Sequence, residues 1–105
     1  MNELEAAVLA AVSQLEPDAY GVLVRERVGE MLHAEAPSTG SVHRALTKLA
    51  RARLLRAQMG EPTAVRGGRA KRLYQVTAAG RAALETERQR AVRRAAALSP
   101  RWRPA

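Results

Sequence analysis

Residues 38–59, "STGSVHRALTKLARARLLRAQM", contain the transition that decides the fold. They predict a helix over residues 38–53 with Ser38 as its N-cap, because a side-chain oxygen at that position bonds a free backbone N–H of the first turn. Apolar residues recur at helical spacing along one side, namely Val42, Ala45, Leu46 and Leu49. The segment that follows, residues 54–59, is short enough for a strand. The stretch therefore predicts a helix with one buried face that leads directly into a strand.

The other face of this predicted helix is polar and basic. Ser38, Thr39 and Ser41 place short hydroxyl groups at the amino terminus, where the helix dipole favours an anion. Arg44 and Lys48, one turn apart, have the donors to bond guanine or to neutralise phosphate groups. These side chains are candidate DNA contacts. The alternative is that Ser38 only caps the helix and the cations form a solvated face.

A second strand, residues 72–77, follows a basic loop in "RGGRAKRLYQVT", residues 66–77. Gly67 and Gly68 allow the chain to turn without interference from a Cβ atom. Together with the first strand, this segment predicts a hairpin with a long loop, or wing, over residues 60–71. The candidate DNA contacts of the wing are Arg66, Arg69, Lys71 and Arg72.

These four cations divide into two predicted roles. Arg66 or Arg69 at the tip is expected to enter a minor groove, where narrow A·T-rich sequence deepens the negative potential. Lys71 and Arg72, beside the strand, are expected to contact phosphates. The alternative is an ordinary solvated hairpin turn.

Three more helices are predicted around this segment. Residues 3–15 begin with a capping-box spacing, and residues 21–35 form a second amphipathic helix. Thr77 is the expected N-cap of a helix over residues 78–98, and residues 99–105 form a tail. The apolar stripe of this last helix is rich in alanine and would be a weak core by itself. We therefore expect it to pack against another helix, such as one from a second subunit.

Composition limits the class of protein. A chain of 105 residues is of single-domain size and buries only about 65% of its unfolded surface, so burial in a homodimer would add stability. The absence of cysteine excludes disulfides and thiolate metal sites. With neither a signal-peptide pattern nor an apolar run of about 18 residues, we expect a cytoplasmic protein that does not enter a membrane.

Charge is divided unevenly along the chain. Residues 1–35 carry a net charge of −5, whereas residues 36–105 carry +13. Such asymmetry favours a partner with a dense negative surface, nucleic acid ahead of an anionic membrane. A GC-rich coding sequence would explain why there are sixteen arginines and two lysines, but not why the acidic residues are concentrated in the first third.

Catalytic and metal-binding patterns are missing from the sequence. The two histidines, His33 and His43, have no neighbouring ligand set, and no serine accompanies a recognisable base. The glycine pair at 67–68 lacks the Gly-Lys-Ser/Thr ending of a phosphate-binding loop. We therefore predict no enzymatic activity, no metal and no cofactor.

The predicted order is helix, helix, helix, strand, basic loop, strand, helix, which is that of a winged helix-turn-helix. The segments "DAYGVLVRERV", "STGSVHRALTKLARARLL" and "GGRAKRLYQVTAAG" resemble the PadR-like family of bacterial transcriptional regulators, and the resemblance spans residue 3 to about residue 90. It implies a mainly α fold with a small β-hairpin and, given the length, a single C-terminal dimerisation helix. Two departures are His43, where the family usually has tyrosine, and "TAAG" for the usual "TPAG".

This resemblance implies a dimeric, DNA-binding and usually repressive regulator. A dimer formed through helix 1 and the C-terminal helix would read a near-palindromic site in double-stranded DNA, with half-sites about 34 Å apart. No pattern indicates the chemistry of a small-molecule effector. The alternative is a basic winged-helix module that binds RNA or an acidic protein, although an aromatic content of 3% leaves few platforms for stacking unpaired bases.

Overall fold

Four helices and one antiparallel hairpin make up the part of the chain that the computed structural model describes, residues 1–62 and 70–98. The elements are α1 (Glu3–Leu15), α2 (Gly21–Met31), α3 (Thr39–Arg51), β1 (Leu55–Pro62), β2 (Ala70–Val76) and α4 (Ala78–Leu98). This order confirms the predicted mainly α winged helix-turn-helix followed by a C-terminal helix. Most of the predicted wing, with Arg66 and Arg69, and the predicted tail lie outside the described residues.

The core lies where α1 crosses α2, α3 and the base of the hairpin. The side chains that form it are Ala7, Val8, Leu9, Ala11, Val12, Ala19, Val24, Val28, Val42, Ala45, Leu46, Leu49, Leu55, Tyr74 and Val76. All four apolar positions predicted for the buried face of α3 are among them. Because α1 supplies five of these residues, it is the central helix of the domain.

α2 ends at Met31, so its predicted end at residue 35 is wrong. Its C-cap is Leu32, and His33 takes a left-handed conformation with φ of 51°. This conformation turns the chain so that the Ala34 N–H bonds the Gly29 carbonyl at 3.2 Å, which closes the helix end. The sequence after Met31, "LHAEA", does not reveal this early helix end, because it lacks the glycine that usually takes the left-handed conformation there.

α3 is also shorter than the predicted range of residues 38–53. Ser38 is its N-cap, as predicted, and its Oγ accepts a hydrogen bond from Ser41 N at 3.1 Å. At the other end Arg53 is left-handed, with φ of 62°, and the Leu54 N–H bonds the Leu49 carbonyl at 3.0 Å. Leu54 therefore belongs to the helix end and β1 begins at Leu55.

The hairpin extends further towards its tip than the predicted strands, residues 54–59 and 72–77. Pairing runs in register from Leu55–Val76 to Met59–Arg72 and then, after an irregularity, to Pro62–Ala70. The glycine and proline near residue 60 mark this irregularity rather than the end of the strand. The loop is accordingly shorter than the predicted residues 60–71.

Thr77 connects the hairpin to α4. Its Oγ accepts a hydrogen bond from Gly80 N at 3.0 Å, which confirms the predicted N-cap, and donates one to the Arg53 carbonyl at 2.7 Å. Gly80 is the buried residue of α4, and a Cβ there would overlap the Leu54 carbonyl oxygen and lie 2.7 Å from Val76 Cγ1. The start of α4 is therefore tightly packed against the helix-to-hairpin junction.

Beyond its first turns, α4 projects away from the domain. Ala83 and Leu84 still pack against the core, whereas every residue from Arg88 to Leu98 is exposed. A helix of this length spans about 32 Å, and the molecule measures 68 × 29 × 20 Å. Across the described part of the chain, no helix has the length and apolar character needed to span a membrane.

Candidate nucleic-acid interface

The amino terminus of α3 carries a connected set of polar side chains formed by Ser38, Ser41 and Arg44, here called the hydroxyl–arginine chain. Ser38 Oγ donates to Ser41 Oγ at 2.8 Å, and Arg44 Nη2 donates to the same Ser41 oxygen at 3.3 Å. With Ser41 Oγ accepting from both sides, its own O–H hydrogen is left to donate outwards. The hydroxyl–arginine chain therefore presents hydroxyl and guanidinium donors at the amino terminus of α3, which is the positive end of the helix dipole.

Exposure makes this group accessible. Ser38, Thr39, His43 and Arg44 are exposed on α3, and Arg44 has no acidic partner among the described residues. His43 is next to Arg44 in the sequence. A guanidinium with unused donors at this position is suited to bidentate bonding of guanine or phosphate.

Lys48 differs from Arg44 because it already has a partner. Its Nζ lies 2.9 Å from Glu5 Oε2, and the Glu5 side chain is only 7% exposed. The same carboxylate accepts a hydrogen bond from Asn2 N at 2.8 Å in the capping box of α1. Hydrogen bonds from Asn2 and from Lys48 hold the pKa of Glu5 below its usual value of 4.5. Lys48 thus links α3 to α1 while its amine remains largely exposed.

Arg25 is a cation near this interface that the sequence pattern does not single out. It lies on α2, half-buried, and its Nε donates to the Pro37 carbonyl at 2.6 Å. Pro37 immediately precedes Ser38, so the bond fastens α2 to the amino terminus of α3. On a helical wheel Arg25 belongs to the wet side of α2, and local periodicity contains no signal for a partner twelve residues away.

The predicted wing contacts are only partly described. Arg72 is exposed on β2 and pairs with Met59 on β1, while Lys71 lies within β2. The structure thus places Ser38, Thr39, Ser41, Arg44 and Lys48 on one helix and Lys71 and Arg72 on the hairpin. Three further exposed arginines follow the hydroxyl–arginine chain along α3 and into β1, namely Arg51, Arg53 and Arg56.

Ligand sets for metal chemistry are absent from residues 1–62 and 70–98: no group of three or more His, Cys, Asp or Glu side chains could hold a metal ion there. Acidic residues are scarce in the part of the sequence that forms α3 and the hairpin, since residues 36–77 contain nine basic residues and one acidic residue. The electrostatic surface of α3 and the hairpin therefore suits a polyanion.

A three-helix domain with a basic hairpin, and with an exposed polar amino terminus on its third helix, defines a winged helix-turn-helix protein of the DNA-binding class. The family model described as "Transcriptional regulator PadR-like family" matches residues 8–86. The chain belongs to this family of DNA-binding transcription regulators.

Solved structures share the fold of this chain. A PadR family transcription regulator from Clostridium difficile R20291 is 20% identical, with 85% of this chain and 86% of that chain covered and a TM-score of 0.66. A PadR-like transcription factor from Bacteroides fragilis is also 20% identical, with 91% and 89% covered and a TM-score of 0.68. A Streptococcus mutans UA159 protein is 22% identical, with 88% and 79% covered and a TM-score of 0.63. Among curated proteins, none matches the sequence significantly.

Proposed function

We propose that this regulator is a homodimer that binds a near-palindromic operator in double-stranded DNA and represses transcription. The observation that carries the proposal is the exposed hydroxyl–arginine chain at the amino terminus of α3, on a helix whose opposite face is buried in the core. In a helix-turn-helix, the amino-terminal residues of the second helix of the motif reach the base edges of the major groove. α3 is that helix here.

The side chains of α3 differ in their proposed contacts. Arg44 is assigned to base reading, because a guanidinium can bond both acceptors of guanine. Ser38, Thr39 and Ser41 are assigned to phosphate or base acceptors beside the helix amino terminus. Lys48 is assigned to a phosphate with a smaller contribution, since Glu5 already compensates its charge.

The hairpin is proposed to hold the DNA backbone. Lys71 and Arg72 would neutralise phosphates, and Arg66 or Arg69 would enter the minor groove. Neutralising these phosphates releases counterions, so the affinity contributed by the wing should fall as salt is raised. This part of the interface strengthens binding to every duplex and does not choose the sequence.

The exposed part of α4 is the main surface proposed for dimerisation. Val92 is 56% exposed and Leu98 is 76% exposed, so these two apolar side chains of α4 lie largely uncovered by the described residues. α1 is proposed to share the interface through partly buried residues outside the core cluster, such as Ala6 and Ala10. Two protomers joined mainly through α4 would present two α3 helices to successive major grooves.

Repression is proposed from the simplest consequence of such binding: a dimer that covers part of a promoter excludes the polymerase. A regulator has to reach chromosomal DNA to do this. The predicted cytoplasmic location therefore belongs to the same proposal.

The proposal is tested by measuring fluorescence anisotropy of the DNA upstream of the protein's own coding sequence, because small regulators often act on their own promoters. A shuffled duplex of equal length is the control, and both are titrated over a series of salt concentrations. We expect about a thousandfold preference for the upstream DNA, with two protomers bound per site. If both duplexes bind equally and with a steep salt dependence, the measurement is repeated with a library of genomic fragments. Equal binding of all fragments would contradict operator recognition and favour an RNA or acidic protein partner.

A further inference from the structure

We propose that Arg25 on α2 binds a phosphodiester group of the DNA backbone beside the amino terminus of α3. The inference rests on the proposed DNA-binding function and adds a contact from a different helix. It is carried by the bond between Arg25 Nε and the Pro37 carbonyl oxygen, 2.6 Å long and partly buried. This bond keeps the guanidinium of Arg25 beside the residue that precedes the N-cap of α3.

The guanidinium has more donors than this bond uses. Arginine carries five N–H donors, and the Pro37 carbonyl accepts only the one on Nε. No other hydrogen bond or ion pair of Arg25 occurs within residues 1–62 and 70–98. Its terminal nitrogens therefore keep N–H donors that can bond two oxygens of one phosphate group.

Arg27, on the same helix, shows the contrasting arrangement. Its Nη1 lies 3.0 Å from Glu30 Oε2, and its Nε donates to Gln14 Oε1 at 2.7 Å. The charge of Arg27 is thus compensated within the domain by the carboxylate of Glu30. Arg25 is anchored by a single neutral carbonyl and keeps its full positive charge.

The position of α2 provides the reason for expecting a phosphate at Arg25. In helix-turn-helix proteins the first helix of the motif crosses the DNA backbone while the second lies in the major groove. Here the first helix is α2 and the second is α3. A cation of α2 that is tied to the start of α3 therefore lies where backbone and groove contacts meet.

The test compares Arg25→Ala with Arg27→Ala, which removes the same charge from the same helix. Binding to a duplex that spans two half-sites is measured by anisotropy from low to moderate salt. Each phosphate contact contributes about 0.9 to the slope of log affinity against log salt. We expect Arg25→Ala to reduce that slope by about 0.9 per protomer, with an affinity loss that grows as salt is lowered, while Arg27→Ala leaves the slope unchanged.

A purely structural role for Arg25 predicts a different result. Loss of the bond to Pro37 would lower thermal stability and affinity but not the number of phosphates neutralised. Arg25→Lys separates the two roles, because it keeps a cation and loses the forked donor; we expect it to restore most of the slope. If Arg25→Ala is unfolded at the assay temperature, Arg25→Gln replaces it, since this variant also removes the charge.

The outcomes also distinguish this inference from the proposed function. An unchanged slope for Arg25→Ala, with wild-type protein binding the duplex normally, overturns the phosphate contact alone. A wild-type protein that does not bind duplex DNA at all overturns the proposed function and this contact with it. A reduced slope that Arg25→Lys restores supports both.

Discussion

Arg44 and Arg72 are both exposed arginines, but their surroundings give them different expected effects on DNA binding. Arg44 belongs to the hydroxyl–arginine chain on the helix assigned to the major groove, and Arg72 lies on the hairpin assigned to the backbone. Arg44→Ala should therefore reduce discrimination between operator and shuffled DNA by about 1 to 3 kcal/mol. Arg72→Ala should weaken binding to both duplexes equally and reduce the salt slope. A ratio of specific to non-specific affinity that Arg44→Ala leaves unchanged would refute the base-reading role.

Gly80 illustrates a residue whose importance comes from the lack of a side chain. Gly80→Ala would push a methyl group into the Leu54 carbonyl and Val76, so we expect a loss of about 2 to 3 kcal/mol in the free energy of unfolding. Gly21→Ala is the matched control, because a Cβ at Gly21 meets no atom within 4 Å. That variant should gain about 0.5 kcal/mol from reduced freedom of the unfolded chain. Urea denaturation of both variants measures the difference, and equal stabilities would contradict the described packing.

At the scale of elements, the ion pair that joins α1 to α3 outside the core depends on the buried carboxylate of Glu5. The pKa of Glu5 is lower in the folded protein than its usual value of 4.5. The charge of Glu5 therefore stabilises the fold fully above about pH 4.5, and this stabilisation is lost as the pH falls through the lowered pKa of the folded state. Glu5→Gln retains a capping-box acceptor but loses the charge that Lys48 requires. We expect it to be about 1 kcal/mol less stable than wild type at neutral pH, with the gap closing in acid.

This prediction is measured as the difference in unfolding free energy between wild type and Glu5→Gln over a pH series. Glu3→Gln is the control, because Glu3 is an exposed carboxylate in the same helical turn. A gap that stays constant from neutral to acidic pH would show that the charge of Glu5 contributes nothing to stability.

The elements also show what the sequence can predict and why the remainder escapes it. α3, its N-cap Ser38 and its buried face follow from caps and spacing, which are local signals. The early end of α2 is not predictable in this way, because the left-handed residue is His33 and not glycine. The bonds of Arg25 to Pro37 and of Lys48 to Glu5 join residues that only the tertiary fold brings together. The α3 members of the candidate site are therefore predictable, whereas their partners on α1 and α2 are not.

At the scale of the whole molecule, α4 should decide the oligomeric state. The predicted apolar stripe of α4 consists of Leu84, Ala91, Ala95 and Leu98. Ala97 is two residues beyond Ala95 and lies about 200° around the helix from it. Ala95→Asp should weaken the proposed dimer at least tenfold by placing a charge in the interface, whereas Ala97→Asp should leave it intact. Sedimentation equilibrium over a range of concentrations measures both. A monomeric wild type, or equal effects of the two variants, would contradict dimerisation through this stripe.

The close packing at Gly80 has a consequence for the DNA that the protein can use. Because α4 joins the winged domain through a junction without spare volume, the angle between them is set by atomic contact rather than by a hinge. A dimer built on two such junctions would hold its two α3 helices at a fixed separation and orientation. Each base pair added between the half-sites turns one half-site by about 34° around the duplex, and a rigid dimer could not follow that rotation. Operators of this protein should consequently share one spacer length, even where their base sequences differ.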